Sequence, residues 1–390
     1  MDFSFTVEQE KFRNEVKEFL EEEIRKGTFE IRSNNYLEVS SPELSRKLAS
    51  KGWLGLTWPK KYMGGERSYV DRAILMEELL KYQAPLVYHL LGERQIGPGL
   101  LHFGSEELKN EFLPKILKAE ISFCLGLSEP DAGSDVAAVS TSAAKEGEYY
   151  IINGQKTWTS NAHNADYIWI LVKTDPEGPK YKNLSEMIVD LKLPGVTVRP
   201  LYNMIGVHCF NEVFFDNVRV HQRYLVGEKN KGFYQMLSQV DYERAGIERL
   251  MQNYPVLEAL RIYVKEDQEI SKDSLILDQM AQLEIEFEIG RLLCYQVAWT
   301  IDQGIIPNRE SAISKCYCTR FEQKLGNIAT QILGEFGQLL PDSPEALFDG
   351  DISESYLWNP SYTIQGGASE ILKGIIATRG LGLTFKKDSK

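Results

Sequence analysis

The sequence predicts an α+β protein in which a β-rich stretch separates two helical ones. Three observations carry this. Apolar residues recur at helical spacing from the start of the chain, through Val7, Phe12, Val16, Phe19, Leu20 and Ile24. Near Ile121 the pattern changes to short β-branched and aromatic runs separated by Gly, Asn, Asp and Pro. Examples are YIWILV at 167–172, MIVDL at 187–191 and EVFFDNVRV at 212–220. From Gly232 onward long helical periodicities return. The expected organisation is a helical domain over 1–120, a small β-domain over 121–230 and a helical bundle over 231–390.

The elements follow in order. After the first helix, further helices are expected at Glu43–Lys51, Tyr69–Gln83, Pro85–His102 and Ser105–Lys118, the last after the loop at Phe103-Gly104. Within the β-region, YYIINGQKTW has hairpin composition: a strand from Tyr149 to Ile152, a tight turn at Asn153-Gly154, then a returning strand. Beyond Gly232 the helical segments fall at about 233–265, 273–303 and 309–340, with a final helix from Ala368. Long helices on short loops suggest an antiparallel bundle.

Composition narrows the partners. A formal charge of −12 argues against a nucleic-acid partner, because a phosphate backbone would not be attracted overall. The five cysteines are scattered, and Cys316 and Cys318 form only a Cys-x-Cys pair on a predicted helix, so neither a disulfide framework nor a zinc site is expected. The N-terminus lacks signal and transit character, and no apolar run approaches a membrane span. The expectation is a soluble, cytoplasmic protein without a metal.

Chemistry concentrates between Leu127 and Asn161, in LSEPDAGSD followed by INGQKTWTSN. On the hairpin reading, Trp158 and Ser160 stand at i and i+2 of one strand and share a face. An indole and a hydroxyl so placed could cover a planar heteroaromatic ring and bond its edge, as a redox flavin requires. Taken singly, each residue is equally at home as ordinary sheet or turn.

Their joint order and spacing resemble the acyl-CoA dehydrogenase family of flavoproteins. The matching stretches are Phe123 to Pro130 with Gly133-Ser134-Asp135, Gly154 to Ser160, and Asn211 to Val218. Gln331-Ile332-Leu333-Gly334 and Ser369-Glu370-Ile371 with Arg379 complete a likeness over nearly the whole chain. The resemblance implies an N-terminal helical domain, a central small β-barrel or sandwich and a C-terminal four-helix bundle. It implies FAD as cofactor and an acyl-CoA thioester as substrate, oxidised to its 2,3-enoyl form with hydride transfer to flavin N5. Electrons would then pass to an electron-transferring flavoprotein, in fatty acid metabolism.

That reaction needs a base for the α-proton. Many family members carry a Glu just before the last helix, in Tyr-Glu-Gly-Thr; this chain reads Ile364-Gln365-Gly366-Gly367-Ala368-Ser369-Glu370, which puts Gly366 at that place. Other members, such as isovaleryl-CoA dehydrogenase, carry it on the helix after the β-domain in an acidic-x-Glu-Arg context. Asp241-Tyr242-Glu243-Arg244 matches that pattern. At 100° per residue, Met236, Val240, Ile247 and Leu250 fall within about 60° of Glu243, whereas Asp241 and Glu248 fall more than about 120° away on a face suited to water. Glu243 is the expected base. A buried ion pair is the structural alternative for it, and Glu370, which otherwise caps the last helix, is the fallback base.

By the same resemblance, Leu127, Ser128, Trp158 and Ser160 bind the flavin ring, with Ser160 near N5. Gln331 and Gly334 hold the adenosine part across a subunit interface, which implies at least a dimer: a homodimer, homotetramer or heterotetramer. A helix end with Gly337 as terminator is the plain alternative there. Ser134, Arg244, Gly366 and Gly367 are the expected substrate contacts. The family's Arg-x-x-Phe-Gly element is missing from Ile262–Ile276, so the pyrophosphate is held differently or the partner is an unlike chain. The small run Gly366-Gly367-Ala368 leaves room for a branched, cyclic or bulky acyl group. Two other readings stand beside the leading one: a CoA-independent flavin oxidase or monooxygenase on the same fold, and a noncatalytic subunit of a hetero-oligomer.

Overall fold

A computed structural model describes residues 4–32, 35–243 and 246–384, excluding the side chains of residues 240–243. Among the described residues, seven α-helices precede the strands: α1 (Val7–Arg25), the single turn α2 (Asn35–Glu38), α3 (Pro42–Ser50), α4 (Tyr69–Lys81), α5 (Val87–Leu91), α6 (Gly97–Phe103) and α7 (Glu106–Leu117). Eight strands follow: β1 (Phe123–Gly126), β2 (Ser142–Glu146), β3 (Tyr149–Lys156), β4 (Tyr167–Lys173), β5 (Leu184–Asp190), β6 (Val196–Tyr202), β7 (His208–His221) and β8 (Leu225–Val226). The chain then returns to helix in α8 (Gly232–Glu243), α9 (Tyr254–Glu266), α10 (Ser274–Asp302), α11 (Asn308–Leu333), α12 (Asp351–Tyr362) and α13 (Ser369–Ile375). The helical, β, helical order is the one the periodicities predict.

Local chemistry explains several boundaries. Thr6 and Gln9 form a reciprocal capping box that starts α1, whose buried stripe is Phe12, Val16, Phe19 and Leu20. Val7 lies off that stripe, exposed to solvent. The single helix expected over Pro85–His102 is instead broken by a π turn at Gly92–Ile96, just ahead of Pro98. Helix α12 escaped the periodicity reading because it is rich in polar residues and holds Pro360 inside.

Internal contacts divide the chain into two compact units. The helical unit comprises Met1–Asn35, Ser68–Ala84 and Arg244–Lys390, and the sheet unit Tyr36–Arg67 and Pro85–Glu243. In the helical unit α4 packs on α1 and α10, and α11 on α10, α12 and α13. Buried Glu77 of α4 accepts from Arg13 of α1 and from Arg291 and Tyr295 of α10, so its charge is matched across three helices.

In the sheet unit the strands run β6-β7-β3-β2-β4-β5-β8, with β1 paired to β4 in parallel. Alternation sorts the side chains of β4 and β5. Ile168, Ile170, Val172, Met187 and Val189 enter the main core with Ile152, Val213 and Val218. Leu171 and Leu184 pack in a second cluster, where α8 contributes Phe233.

The Asn153-Gly154 hairpin does not form. β3 runs straight through both residues, with a bulge between Ile152 and Gly154 in its pairing to β7. Gly154 has φ +146°, and a Cβ there would lie 2.5 Å from Thr141 Oγ1, so this glycine serves a bulge and a close approach. Asn153 bonds Asn217 across the strands. The turn lies earlier, at Gly147 (φ +61°), between β2 and β3. No helix among the described residues is long and apolar enough to cross a membrane.

Candidate active site

Two segments of the sheet unit meet at the end of β1. Past Gly126 the chain turns through Leu127 and Ser128 into Glu129, whose carboxylate is buried. Its oxygens accept from the backbone N–H groups of Ser140 (2.6 Å) and Thr141 (2.9 Å), the Ser140 hydroxyl (2.8 Å) and Lys156 Nζ (2.8 Å). Lys156, at the end of β3, is fully buried and also donates to the Leu127 carbonyl at 3.3 Å. The Thr157 N–H donates to the Ser128 carbonyl at 2.9 Å. An ion pair and two hydrogen bonds to backbone carbonyls thus staple the Leu127-Ser128 turn to the segment that carries Trp158.

Burial alone would push the Glu129 carboxyl up, but Lys156 and the Thr141 and Ser140 donors outweigh it and hold the group at about 2. Burial draws Lys156 down to about 8 against the pull of Glu129. Loss of either partner would strand a buried charge, at about 3–5 kcal/mol.

Trp158 and Ser160 are not on a strand. Beyond Lys156 the chain becomes a loop, with Trp158 and Asn161 both at φ +57°. The loop runs beside β7: Thr159 N–H donates to the Asn211 carbonyl and Asn161 N–H to the Cys209 carbonyl, each at 3.0 Å. The Asn211 side chain returns a bond to the Thr159 carbonyl at 3.0 Å. The left-handed turn at Trp158 replaces the strand alternation that the sequence suggested. It leaves the indole 57% exposed, edge-on to Phe210 at 5.7 Å. A bulky residue at positive φ is an outlier of a kind that clusters at ligand sites.

Two polar atoms in this loop, Thr159 Oγ1 and Asn161 Nδ2, are buried with no hydrogen-bond partner among the described residues. Such groups cost about 1–3 kcal/mol each when left unmade. An exposed indole, half-buried Ser160 and Ser128, and unmet polar atoms fit a planar ring with a polar edge, as a flavin is. Ser134 lies further along the Ser128 loop, exposed, next to a surface ion pair of Asp135 with Lys180 at 2.7 Å.

Gln331, Gly334, Gly366, Gly367 and Glu370 belong to the helical unit. Gln331 and Gly334 line a cavity of about 690 Å³ with Asn327, Thr330, Leu340 and Tyr356. Gly334 ends α11 at φ +57°, so it, and not Gly337, is the terminator. Gly366 and Gly367 are both left-handed, at φ +64° and +100°. Their loop is anchored by fully buried Lys315, which donates to the Gly367 carbonyl at 2.6 Å. Glu370 is exposed in the first turn of α13, whose N-cap, Ala368, makes no side-chain bond.

Glu243 is the last residue of α8; its side chain, and Arg244 altogether, lie outside the described residues. The helical wheel breaks beyond this point. Gly246 is extended, and Ile247–Arg249 form a separate 3-10 turn, so the phase restarts there. Ile247 and Leu250 are buried as expected, but Glu248 is only 1% exposed and pairs with Arg72 at 3.5 Å, contrary to the water-facing position expected for it. Among the buried carboxyls that sequence reasoning missed, two are raised well above the ordinary range. Glu322 of α11 is pushed up to about 8 by burial, and Glu186 of β5 to about 7. Glu186 had a visible signal, a charge inside the apolar run LSEMIVD.

Three family models match the chain in succession: the acyl-CoA dehydrogenase N-terminal domain over 6–120, the middle domain over 124–218 and the C-terminal domain over 230–381. The acyl-CoA dehydrogenase IpdE1 of Mycobacterium tuberculosis is 32% identical over 341 residues, 87% of either chain. Among solved structures, the Tcur3481-Tcur3483 steroid ACAD superposes with a TM-score of 0.87 at 29% identity, covering 98% of this chain and 100% of that one. The ChsE4-ChsE5 complex of M. tuberculosis gives a TM-score of 0.88 at 28% identity, covering 99% and 100%.

Proposed function

The chain belongs to the acyl-CoA dehydrogenase family, and from that premise we propose that it oxidises a saturated acyl-CoA to the 2,3-enoyl thioester with Glu243 as base. It is an oxidoreductase acting on CH–CH bonds, with FAD as cofactor. When bound, FAD supplies the two-electron acceptor for the hydrogen leaving the β-carbon.

The protein's own task is to hold both reactants and take the α-proton. The observation that carries this reading is the stapled pair of segments at Leu127-Ser128 and Trp158-Ser160, rigid beneath yet open at the indole, with Thr159 and Asn161 left unmatched. Leu127, Ser128, Trp158 and Ser160 hold the flavin ring, and Gln331 and Gly334 hold the adenosine end of a flavin across a subunit interface. Ser134 contacts the pantetheine-phosphate portion of the substrate, and Arg244, Gly366 and Gly367 are further substrate contacts. The left-handed backbone at Gly366 favours no side chain there, which supports placing the base at Glu243. A carboxylate is an effective α-proton base once water is removed from around it and the thioester carbonyl is polarised.

The steroid ACAD among the relatives supports a bulky, polycyclic acyl group, in keeping with the small run Gly366-Gly367-Ala368. The paired names Tcur3481-Tcur3483 and ChsE4-ChsE5 support an assembly with an unlike chain, which also answers the missing arginine element. An electron-transferring flavoprotein takes the electrons onward.

The test is anaerobic mixing of flavin-loaded protein, with any partner chain, against linear, branched and steroid-like acyl-CoAs. Bleaching of the flavin with a bulky thioester and formation of its enoyl product is the expected result. Rapid reaction of the reduced flavin with oxygen and no bleaching by any thioester would point to a CoA-independent oxidase.

A further inference from the structure

Strand β5 carries a charge where its pattern calls for an apolar side chain. Glu186 is fully buried, and its two oxygens accept from Trp169 Nε1 (2.9 Å), Gln235 Nε2 (3.0 Å) and Gln239 Nε2 (3.1 Å). Trp169 lies on neighbouring β4, while Gln235 and Gln239 are one turn apart on α8. Gln235 is further fixed by donating to the Val226 carbonyl and accepting from the Glu228 N–H, each at 3.1 Å. The helix starts flush on the same strand: a Cβ at Gly232 would lie 2.7 Å from the Ser185 backbone. A Cβ at Gly99 of α6 would come within 3.0 Å of Gln239 and 3.1 Å of Trp169, so the far side of the network is closed as well.

Helix α8 is thereby tied to β5 at Gly232, Gln235 and Gln239. The next position of that stripe, four residues and about 6 Å further along the axis, is Glu243. We propose that Glu186 is a positioning residue for the dehydrogenation: its carboxylate locks α8 onto β5 and so fixes the turn that carries the base. This rests on the reading of Glu243 as that base.

An anion suits the task because a carboxylate only accepts, and an indole N–H and two amide NH₂ groups only donate. Protonating Glu186, or replacing it by Gln, puts a donor against donors and breaks at least one tie. Among the described residues no charged side chain bonds Glu186, although the π turn Gly92–Ile96 packed on α8 carries buried Glu93 and half-buried Arg94. β4 presents the Trp169 indole, α8 the two amides and β8 the Val226 backbone. Tyr234 of α8 is exposed, and Arg223 and Tyr224, on the turn before β8, engage Glu107 and Glu111. The side chains of Asp241, Tyr242 and Glu243 lie outside the described residues. Burial pushes the Glu186 carboxyl up to about 7, so the clamp itself titrates near neutrality.

The test compares E186Q, E243Q and E322Q with the parent enzyme, measuring flavin content, KM, kcat and its pH profile. E186Q is expected to keep its flavin and KM while kcat falls about tenfold to a hundredfold, and to lose the ionisation limb near pH 7. E322Q alters an equally buried carboxyl remote in sequence from α8 and is expected to leave kcat unchanged. Q239M, which spares Glu186, should lower kcat about threefold and serves if E186Q does not fold. The proposal is overturned if E186Q and Q239M retain kcat and the pH limb, or if kcat is lost only together with flavin. E243Q separates the two readings. Full activity in that variant removes the base assignment, whereas its inactivity beside a normal E186Q removes only the positioning role.

Discussion

Glu129 and Glu186 are both carboxyls buried in the sheet unit, a few strands apart, yet they end in opposite states. Glu129 faces the Lys156 ammonium and backbone donors, and stays ionised well below the ordinary carboxylate range, at about 2. Glu186 faces neutral donors alone, and burial moves it to about 7. Burial opposes the charge in both; the partner decides the outcome. The first arrangement is a fixed staple under the loop that carries Trp158. The second is a clamp that can be released by a proton.

The largest effect should come from K156M. It strands Glu129 without its cation and is expected to destabilise the protein by about 3–5 kcal/mol in denaturant unfolding, with loss of flavin retention. An unchanged midpoint would mean that the pair is not a staple.

Opposite pH slopes follow from the two carboxyls. The folded-state pKa of Glu129 is depressed, so its contribution is present above about 4.5 and is lost as pH falls towards about 2. That of Glu186 is raised, so stability falls as pH rises from about 4.5 through 7, and the cost is complete above that. E186Q should therefore be at least as stable as the parent at pH 8, by about 1–2 kcal/mol, even as it loses activity. Parallel losses of stability and rate would make Glu186 an ordinary structural residue.

The smallest expected effect concerns Thr159. T159V removes a buried hydroxyl that finds no partner among the described residues. The flavin-free protein should gain up to about 1 kcal/mol, whereas FAD affinity should fall about fivefold. Unaltered affinity would place the hydroxyl away from the cofactor.

Helix-forming segments were legible because periodicity and caps such as Thr6 with Gln9 act locally. Motif residues were legible too, but their geometry was not. Asn153-Gly154 reads as a turn in one dimension; it becomes a bulge because β7 pairs through it. Glu248 reads as solvent-facing only if one helix continues past Gly246, and α8 ends before it. The strained turn at Trp158 depends on β7 contacts from residues some fifty positions away, which no local rule contains. The Lys156–Glu129 pair lay inside the recognised motifs, yet its role as the link between them appears only when both strands are in place.

The most direct measurement is rapid anaerobic mixing of flavin-loaded E243Q and parent enzyme with a bulky saturated acyl-CoA, followed at the flavin absorbance. The account expects the parent to bleach and release enoyl-CoA. E243Q should bind flavin and thioester equally well but bleach about 10²–10⁴-fold more slowly. Bleaching of E243Q at the parent rate would contradict the assignment of the base.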